Sequence, residues 1–185
     1  MRLRAVFGAL ALAAMAAGPA AAQNPKYVNK LAPFVSSPVH IVERMLEVAH
    51  LKAGEKLYDL GSGDGRIVIA AAEKYKAKAV GVEISPKLVA KANESIQKDG
   101  LSDQARVVQG DVLETDVSDA DVVTMYLGPS LNEKLRPRLE RLLHPGARVV
   151  THDYAVKGWK PTLIDRAEGR STHLIYLYEM PPAKN

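Results

Sequence analysis

Residues 59–65 read Asp59-Leu60-Gly61-Ser62-Gly63-Asp64-Gly65, and this heptapeptide decides the fold. It follows the apolar pair Leu57-Tyr58 and precedes an alanine-rich run to Tyr75 with helical spacing from Ile67. The order is therefore strand, tight glycine turn, helix. A glycine turn that opens a helix after a strand lets backbone approach a nucleotide. The spacing Gly61-x-Gly63-x-Gly65 is not the dinucleotide fingerprint, because the position three residues after Gly63 is Arg66.

Charge narrows the ligand further. Asp59 and Asp64 surround the turn with negative charge, which would repel a pyrophosphate seated on the helix N-terminus. A nucleoside ligand without phosphate fits better. S-adenosylmethionine (SAM) has adenine, ribose, a cationic sulfonium and an ammonium group, and no phosphate.

Outward from the turn, elements alternate between strand and helix. Ser37 and Pro38 read as N-cap and first residue of a leading helix that carries Val42, Met45, Leu46 and Ala49 on one face. Lys56 to Leu60 is the first strand. Ala79 to Glu83 is a buried strand, Pro86 opens a helix to about Lys98, and Arg106 to Gln109 is a third strand ending at Gly110-Asp111. Ala120 to Met125 is a fourth strand, Asn132 to Leu143 a helix, and Ala147 to His152 a fifth strand after the His144-Pro145-Gly146 turn. Such alternation predicts an α/β, doubly wound, mostly parallel sheet. Near the end, Thr162 to Ile164 and Thr172 to Met180 are strand-like with no helix between them, which predicts an antiparallel terminal hairpin. The methyl-donor-binding domain is placed at residues 37–180, with 181–185 as a disordered tail.

In a parallel sheet, ligands bind beyond the carboxyl ends of the strands, at the point where strand order reverses. Polar residues stand at those ends. Gly61, Gly63 and Gly65 give backbone access, and Asp59 can hold the loop and face the ligand ammonium. Glu83 can accept both ribose hydroxyls, and Asp111 can accept from the adenine amine. Plainer roles stand beside these: a structural turn, a solvated strand end for Glu83, and a turn former for Asp111.

Asp59 to Gly65 together with Val80-Gly-Val-Glu83 resembles motif I and the following acidic strand end of class I SAM-dependent methyltransferases. A narrower resemblance covers about residues 27 to 180. Phe34-Val-Ser-Ser-Pro38, Tyr58 to Arg66, Asp121-Val-Val-Thr-Met-Tyr126, and Val149 to Asp153 followed by Lys157-Gly-Trp159 are similar to the small archaeal protein-lysine methyltransferases. They are similar as well to the animal mitochondrial enzymes that methylate lysine on the ATP synthase c-subunit. The resemblance implies a seven-stranded sheet with the last strand antiparallel, SAM as methyl donor and a protein lysine as acceptor. Ser36 stands where relatives often have proline.

Methyl transfer needs the acceptor aligned and water excluded. Tyr126, past the fourth strand, and Asp153, past the fifth, are the candidate catalytic residues facing the acceptor. Their plainer roles are cofactor or core packing and a strand-end cap. Trp159 reads as an acceptor-side wall or as a loop anchor. Ser36 and Ser37 can border the cofactor, although Ser37 reads first as a helix cap.

Other chemistries are excluded or disfavoured. Tyr126-Leu-Gly-Pro129 is not the Asn/Asp-Pro-Pro-Tyr/Phe of base amino-methyltransferases, and Gly61-Ser62-Gly63 is not a hydrolase elbow. Histidines 40, 50, 144, 152 and 173 show no metal-site spacing, only His152 is placed near the crevice, and no metal is expected. With no cysteine, thiolate chemistry and disulfides are excluded.

Arg2 and Arg4, an apolar Ala5 to Ala17 and the small residues Ala20-Ala21-Ala22 read as a secretory signal over residues 1–22, followed by a linker over 23–36. The expectation is an exported or periplasmic protein, with a membrane anchor as the alternative reading. The formal charge is +4, and without Arg2 and Arg4 it is near +2, with 23 basic against 21 acidic residues. Nucleic acid is not an expected partner on that balance. The competing functions are methylation of a small molecule or lipid at the envelope, and a non-catalytic SAM-binding domain.

Overall fold

Leu57 and Tyr58 face opposite sides of one sheet and anchor two separate cores. This is the period-two alternation expected of a central strand covered on both faces. The computed structural model describes residues 35–169 and 171–184. Its elements run α1 (Val39–Val48), β1 (Lys56–Leu60), α2 (Arg66–Tyr75), β2 (Lys78–Glu83), α3 (Pro86–Lys98), β3 (Ala105–Gln109) and β4 (Val122–Met125). They continue as α4 (Pro129–Leu142), β5 (Arg148–His152), β6 (Trp159–Lys160), β7 (Leu163–Ala167), β8 (His173–Glu179) and β9 (Ala183–Lys184).

The main sheet has seven strands in the order β3-β2-β1-β4-β5-β8-β7. β1 to β5 pair in parallel, and β8 is antiparallel to both β5 and β7. This is the predicted class, a doubly wound α/β sheet with an antiparallel C-terminal strand. Strand order reverses between β1 and β4, so the crevice for a ligand opens at their carboxyl ends.

Each core is built from the apolar stripe of its helices. Ile41, Met45 and Leu46 of α1, Val68 and Ala72 of α2, and Ala92 and Ile96 of α3 lie with Leu57, Val107, Val150 and Ile175 on one face. Leu131, Leu135 and Leu139 of α4 lie with Tyr58, Val82, Met125 and Tyr178 on the other. Burying each large side chain contributes roughly 1.5–3 kcal/mol before entropy is counted, so both layers hold the sheet rigid beneath its ligand edge.

The structure corrects four expectations. Pro38, not Ser37, occupies the N-cap of α1, and no side chain caps that helix. The Ser37 hydroxyl is instead drawn to His152. No helix joins β3 to β4, so the alternation lapses over residues 110–121, where a turn at Asp111 makes the connection. In the tail expected to be disordered from 181 to 185, Ala183–Lys184 pairs with Trp159–Lys160 as a two-stranded ladder. Backbone hydrogen bonds to a strand fixed by buried Trp159 are the physical reason. α4 also starts earlier than Asn132, at Pro129, whose fixed φ suits a first helical position. The signal reading over 1–22 and all but the last two residues of the linker lie outside the described residues.

Candidate active site

The glycine loop is folded back onto the end of β2. Gly61 and Ser62 donate their amides to Val82 O at 2.9 and 3.0 Å, and Gly63 donates to Glu83 Oε2 at 3.0 Å. Glu83 Oε1 accepts the Ser85 amide at 2.8 Å, so each carboxylate oxygen takes one backbone donor and keeps lone-pair capacity for another. Gly61 has φ of 81°, a conformation that favours glycine, and a Cβ there would meet Leu127 Cδ2 at 2.4 Å and displace that side chain. Gly65 has φ of 79° and leads directly into α2.

Asp59 is buried at the end of β1 and accepts from Thr124 Oγ1 at 2.8 Å. Burial, in part offset by hydrogen bonds, pushes its carboxyl up to about 6, with Glu83 and Asp64 adding repulsion. A cleft at this point is lined by Ser36, Ser37, Asp59, Gly61, Arg66 and Tyr126, among others. It brings together three of the predicted site residues, Asp59, Gly61 and Tyr126. Glu83, Gly63, Gly65, Asp111 and Asp153 are not on its wall. Glu83 reaches it through Gly63, and Asp153 through Tyr126. Asp111 Oδ1 accepts the Leu113 amide at 2.8 Å, which gives it the turn-forming role.

Arg66 changes the charge argument for the loop. Its Nε and Nη2 donate to both oxygens of Asp64 at 2.9 and 2.6 Å, and Nη1 donates to Ser37 O at 2.7 Å. Asp64 is thus paired, and Asp59 with Glu83 carries the negative character of the loop. The clamp also fixes the segment before α1 against the glycine turn. An acid two residues before an arginine was the local signal for it.

Beyond the carboxyl ends of β4 and β5, the Tyr126 ring lies tilted against His152 with centroids 3.9 Å apart, and its hydroxyl lies 3.4 Å from Asp153 Oδ2. Burial first and then the Asp153 charge raise the Tyr126 pKa, so the phenol stays protonated. Asp153 has φ of 57°, a left-handed conformation rare for a residue with Cβ. Its backbone amide donates to Leu174 O at 2.7 Å, and its Oδ1 accepts the Leu174 amide at 3.0 Å. This two-way clamp secures the turn after β5 to the start of β8 and repays the local strain. Burial opposes the Asp153 charge, but the Leu174 amide and the neighbouring histidines hold its carboxyl below the usual range.

His173, which the sequence did not place at the site, lies here as well. Its Nδ1 is 3.1 Å from Asp153 Oδ2 and 2.9 Å from His152 Nε2. The antiparallel register pairs His152 with Ile175, which brings the first residue of β8 beside the end of β5. His152 is fully buried, and burial lowers its pKa to about 4, so the ring is neutral. Trp159 is an anchor rather than an acceptor wall. It is buried, packs edge-on to Tyr178 at 5.3 Å, and donates Nε1 to Glu140 at 2.7 Å.

The residues present fit SAM. Buried Asp59 offers a carboxylate to an ammonium, Glu83 keeps acceptor capacity for a diol, glycine leaves backbone open, and the loop's arginine is already spent on Asp64.

Comparison with known proteins agrees. The model of the ANTKMT methyltransferase domain matches residues 59–163. A protein-lysine N-methyltransferase of Saccharolobus islandicus is 45% identical over 148 residues, covering 79% of this chain and 92% of that protein. The adenine nucleotide translocase lysine N-methyltransferase of Mus musculus is 32% identical, covering 80% of this chain and 63% of its own length. Among solved structures, one reported as an RNA methyltransferase from Salinibacter ruber, in complex with S-adenosyl-L-homocysteine, is 46% identical. It superposes with a TM-score of 0.76 and covers 80% of this chain and 94% of that one.

Proposed function

Since this chain belongs to the ANTKMT methyltransferase domain family, we propose that it methylates the ε-amine of a lysine in a protein. It is a methyltransferase, and SAM is its methyl donor. The observation that carries the choice of acceptor is the acidic character of the acceptor side, where Asp153 lies against Tyr126. A carboxylate there attracts a lysine ammonium and repels a nucleic-acid phosphate. The 45% identical Saccharolobus relative, a protein-lysine N-methyltransferase, supports the same reading.

The roles assigned in this reading are Asp59 for the ammonium of the donor, Glu83 for its ribose hydroxyls and the Asp111 oxygen left over from its turn for the adenine amine, while Gly61, Gly63 and Gly65 keep side chains out of its path. When bound, SAM supplies an activated methyl group on a sulfonium. Tyr126 orients the acceptor nitrogen, and Asp153 attracts the lysine ammonium; with its carboxyl held below the usual range Asp153 stays ionised, and the ammonium proton passes to solvent before transfer. A lysine has a reference pKa of about 10.4, so the crevice must favour the neutral amine. Desolvation beside Tyr126 works in that direction. We also propose that the protein is exported through residues 1–22, which directs the search for its acceptor to envelope proteins.

The Salinibacter neighbour names RNA as the competing acceptor. Purified protein with methyl-labelled SAM and a whole-cell extract, divided into protein, RNA and lipid or small-molecule fractions, tests the reading. Label in protein supports it. Label confined to RNA or to the lipid and small-molecule pool overturns it, and SAM binding with no transfer to any fraction would favour a binding domain.

A further inference from the structure

Three donor atoms from three side chains converge at the edge of the acceptor crevice. His152 Nε2 is 2.9 Å from His173 Nδ1 and 3.3 Å from Asp153 Oδ2, and His173 Nδ1 is 3.1 Å from the same oxygen. No placement of ring protons satisfies all three edges of this triangle. With a proton on His173 Nδ1 alone, His152 Nε2 turns a lone pair toward Asp153 Oδ2. With a proton on His152 Nε2 alone, His173 Nδ1 turns a lone pair toward that oxygen. With both protonated, two N–H groups face each other across 2.9 Å. One cation inside the triangle removes every conflict.

The far side of each group is also held. Ser37 Oγ lies 2.8 Å from His152 Nδ1, Ser171 Oγ lies 2.9 Å from His173 Nε2, and the Leu174 amide donates to Asp153 Oδ1 at 3.0 Å. Such outer partners fix ring orientation and aim the opposite nitrogen at a metal. Ligands at about 2.0–2.2 Å from a common ion, with bond angles between octahedral and tetrahedral, stand roughly 2.8–3.6 Å apart. The three observed separations fall in that interval. The two imidazole centroids are 4.8 Å apart with planes at 55°. Among the described residues, this is the group of His, Asp and Glu side chains whose ligand atoms come together in this way.

We propose that His152, Asp153 and His173 form a site for a divalent first-row transition metal, with the remaining coordination positions open to the acceptor crevice. Two neutral imidazoles and one carboxylate suit zinc or its neighbours better than calcium or magnesium, which prefer all-oxygen shells. The Asp153 oxygen that the metal takes is the one facing Tyr126. Metal and acceptor ammonium therefore compete for it, and occupancy slows transfer. That last consequence rests on the proposed function, whereas binding of the metal does not.

The test uses untagged full-length protein stripped with EDTA, and Zn2+ alone as the probe in titration calorimetry. Co2+ then reports ligand geometry through its visible absorption. The expected result is one Zn2+ per chain with a micromolar or tighter Kd, weakened at least 100-fold in His173→Gln and in Asp153→Asn. Both variants must keep the parent's circular dichroism and SAM affinity. His173 is only partly buried, so its replacement is the safer of the two for folding. Binding no tighter than millimolar in the parent overturns the proposal. Equal zinc affinity in parent and both variants overturns it as well, because the ion would then sit elsewhere. Methyl transfer is not read in either arm, so the metal site and the methyltransferase reading stand or fall separately.

Discussion

Glu83 Oε2 accepts the Gly63 amide at 3.0 Å, which makes the end of β2 and the middle of the glycine loop one structural unit. The same carboxylate holds Ser85 at the start of α3 through its other oxygen. A residue proposed to bind ribose thus also shapes the loop that receives the rest of the nucleoside.

Glu83→Ala removes two charge-assisted contacts to the ligand and leaves two backbone amides without their partner. At about 1.5–3 kcal/mol for each hydrogen bond to a charged group, SAM affinity falls by roughly 100-fold or more. Calorimetry checks this. Unchanged affinity would remove Glu83 from the site.

Asp59 links affinity to pH. Its carboxyl, pushed up from 3.8 to about 6, binds a proton more tightly in the native state than in the unfolded chain. In the ligand-free protein this group therefore adds stability as pH falls from about 6 toward 3.8, and its buried charge costs up to roughly 3 kcal/mol above pH 6. The donor's ammonium needs the ionised form, so SAM affinity declines by up to about tenfold per unit below pH 6. Asp59→Asn raises the ligand-free Tm at pH 7.5 and weakens SAM binding. A lower Tm together with undiminished binding would contradict both roles.

Asp153→Asn keeps SAM binding and slows methyl transfer by about 10- to 100-fold, through loss of one charge-assisted contact to the acceptor ammonium. Tyr126→Phe lowers kcat less, because the ring still packs on His152. Single-turnover rates alongside calorimetry separate the effects. Parallel loss of binding and rate in Asp153→Asn would move that residue from acceptor to framework.

Trp159→Ala, at a side chain 1% exposed, destabilises by about 3–5 kcal/mol through cavity formation and loss of the Glu140 hydrogen bond. The SAM affinity of the molecules that remain folded is unchanged. Denaturant melts with and without SAM measure both. A variant with full stability and altered acceptor preference would restore the acceptor-wall reading.

Legibility in the sequence followed range. The strand, glycine turn and helix of residues 56–75 and the acid ending β2 are local, and the period of the apolar residues exposes them directly. The terminal hairpin was readable because β-branched and tyrosine residues ran on without a helix. Ser37 was misread as a cap because its partner, His152, lies 115 residues away, and a hydroxyl before a proline satisfies the local rule equally well. His173 was missed for a related reason. Its place depends on the register of β8 against β5, which the alternation pattern leaves unset. The pairing of Ala183–Lys184 depends on Trp159 being buried, again a tertiary fact. Asp64 was credited with charge that Arg66, two residues on, takes up.

The central claim is methylation of a protein lysine. Its most direct measurement is amino-acid analysis of protein labelled by the purified enzyme with methyl-labelled SAM, after complete acid hydrolysis. The account predicts that the label co-migrates with ε-N-methyl-lysine and disappears with Glu83→Ala enzyme. Label recovered as methyl ester or methyl-arginine, or only as methylated nucleoside from RNA in the same reaction, would contradict it.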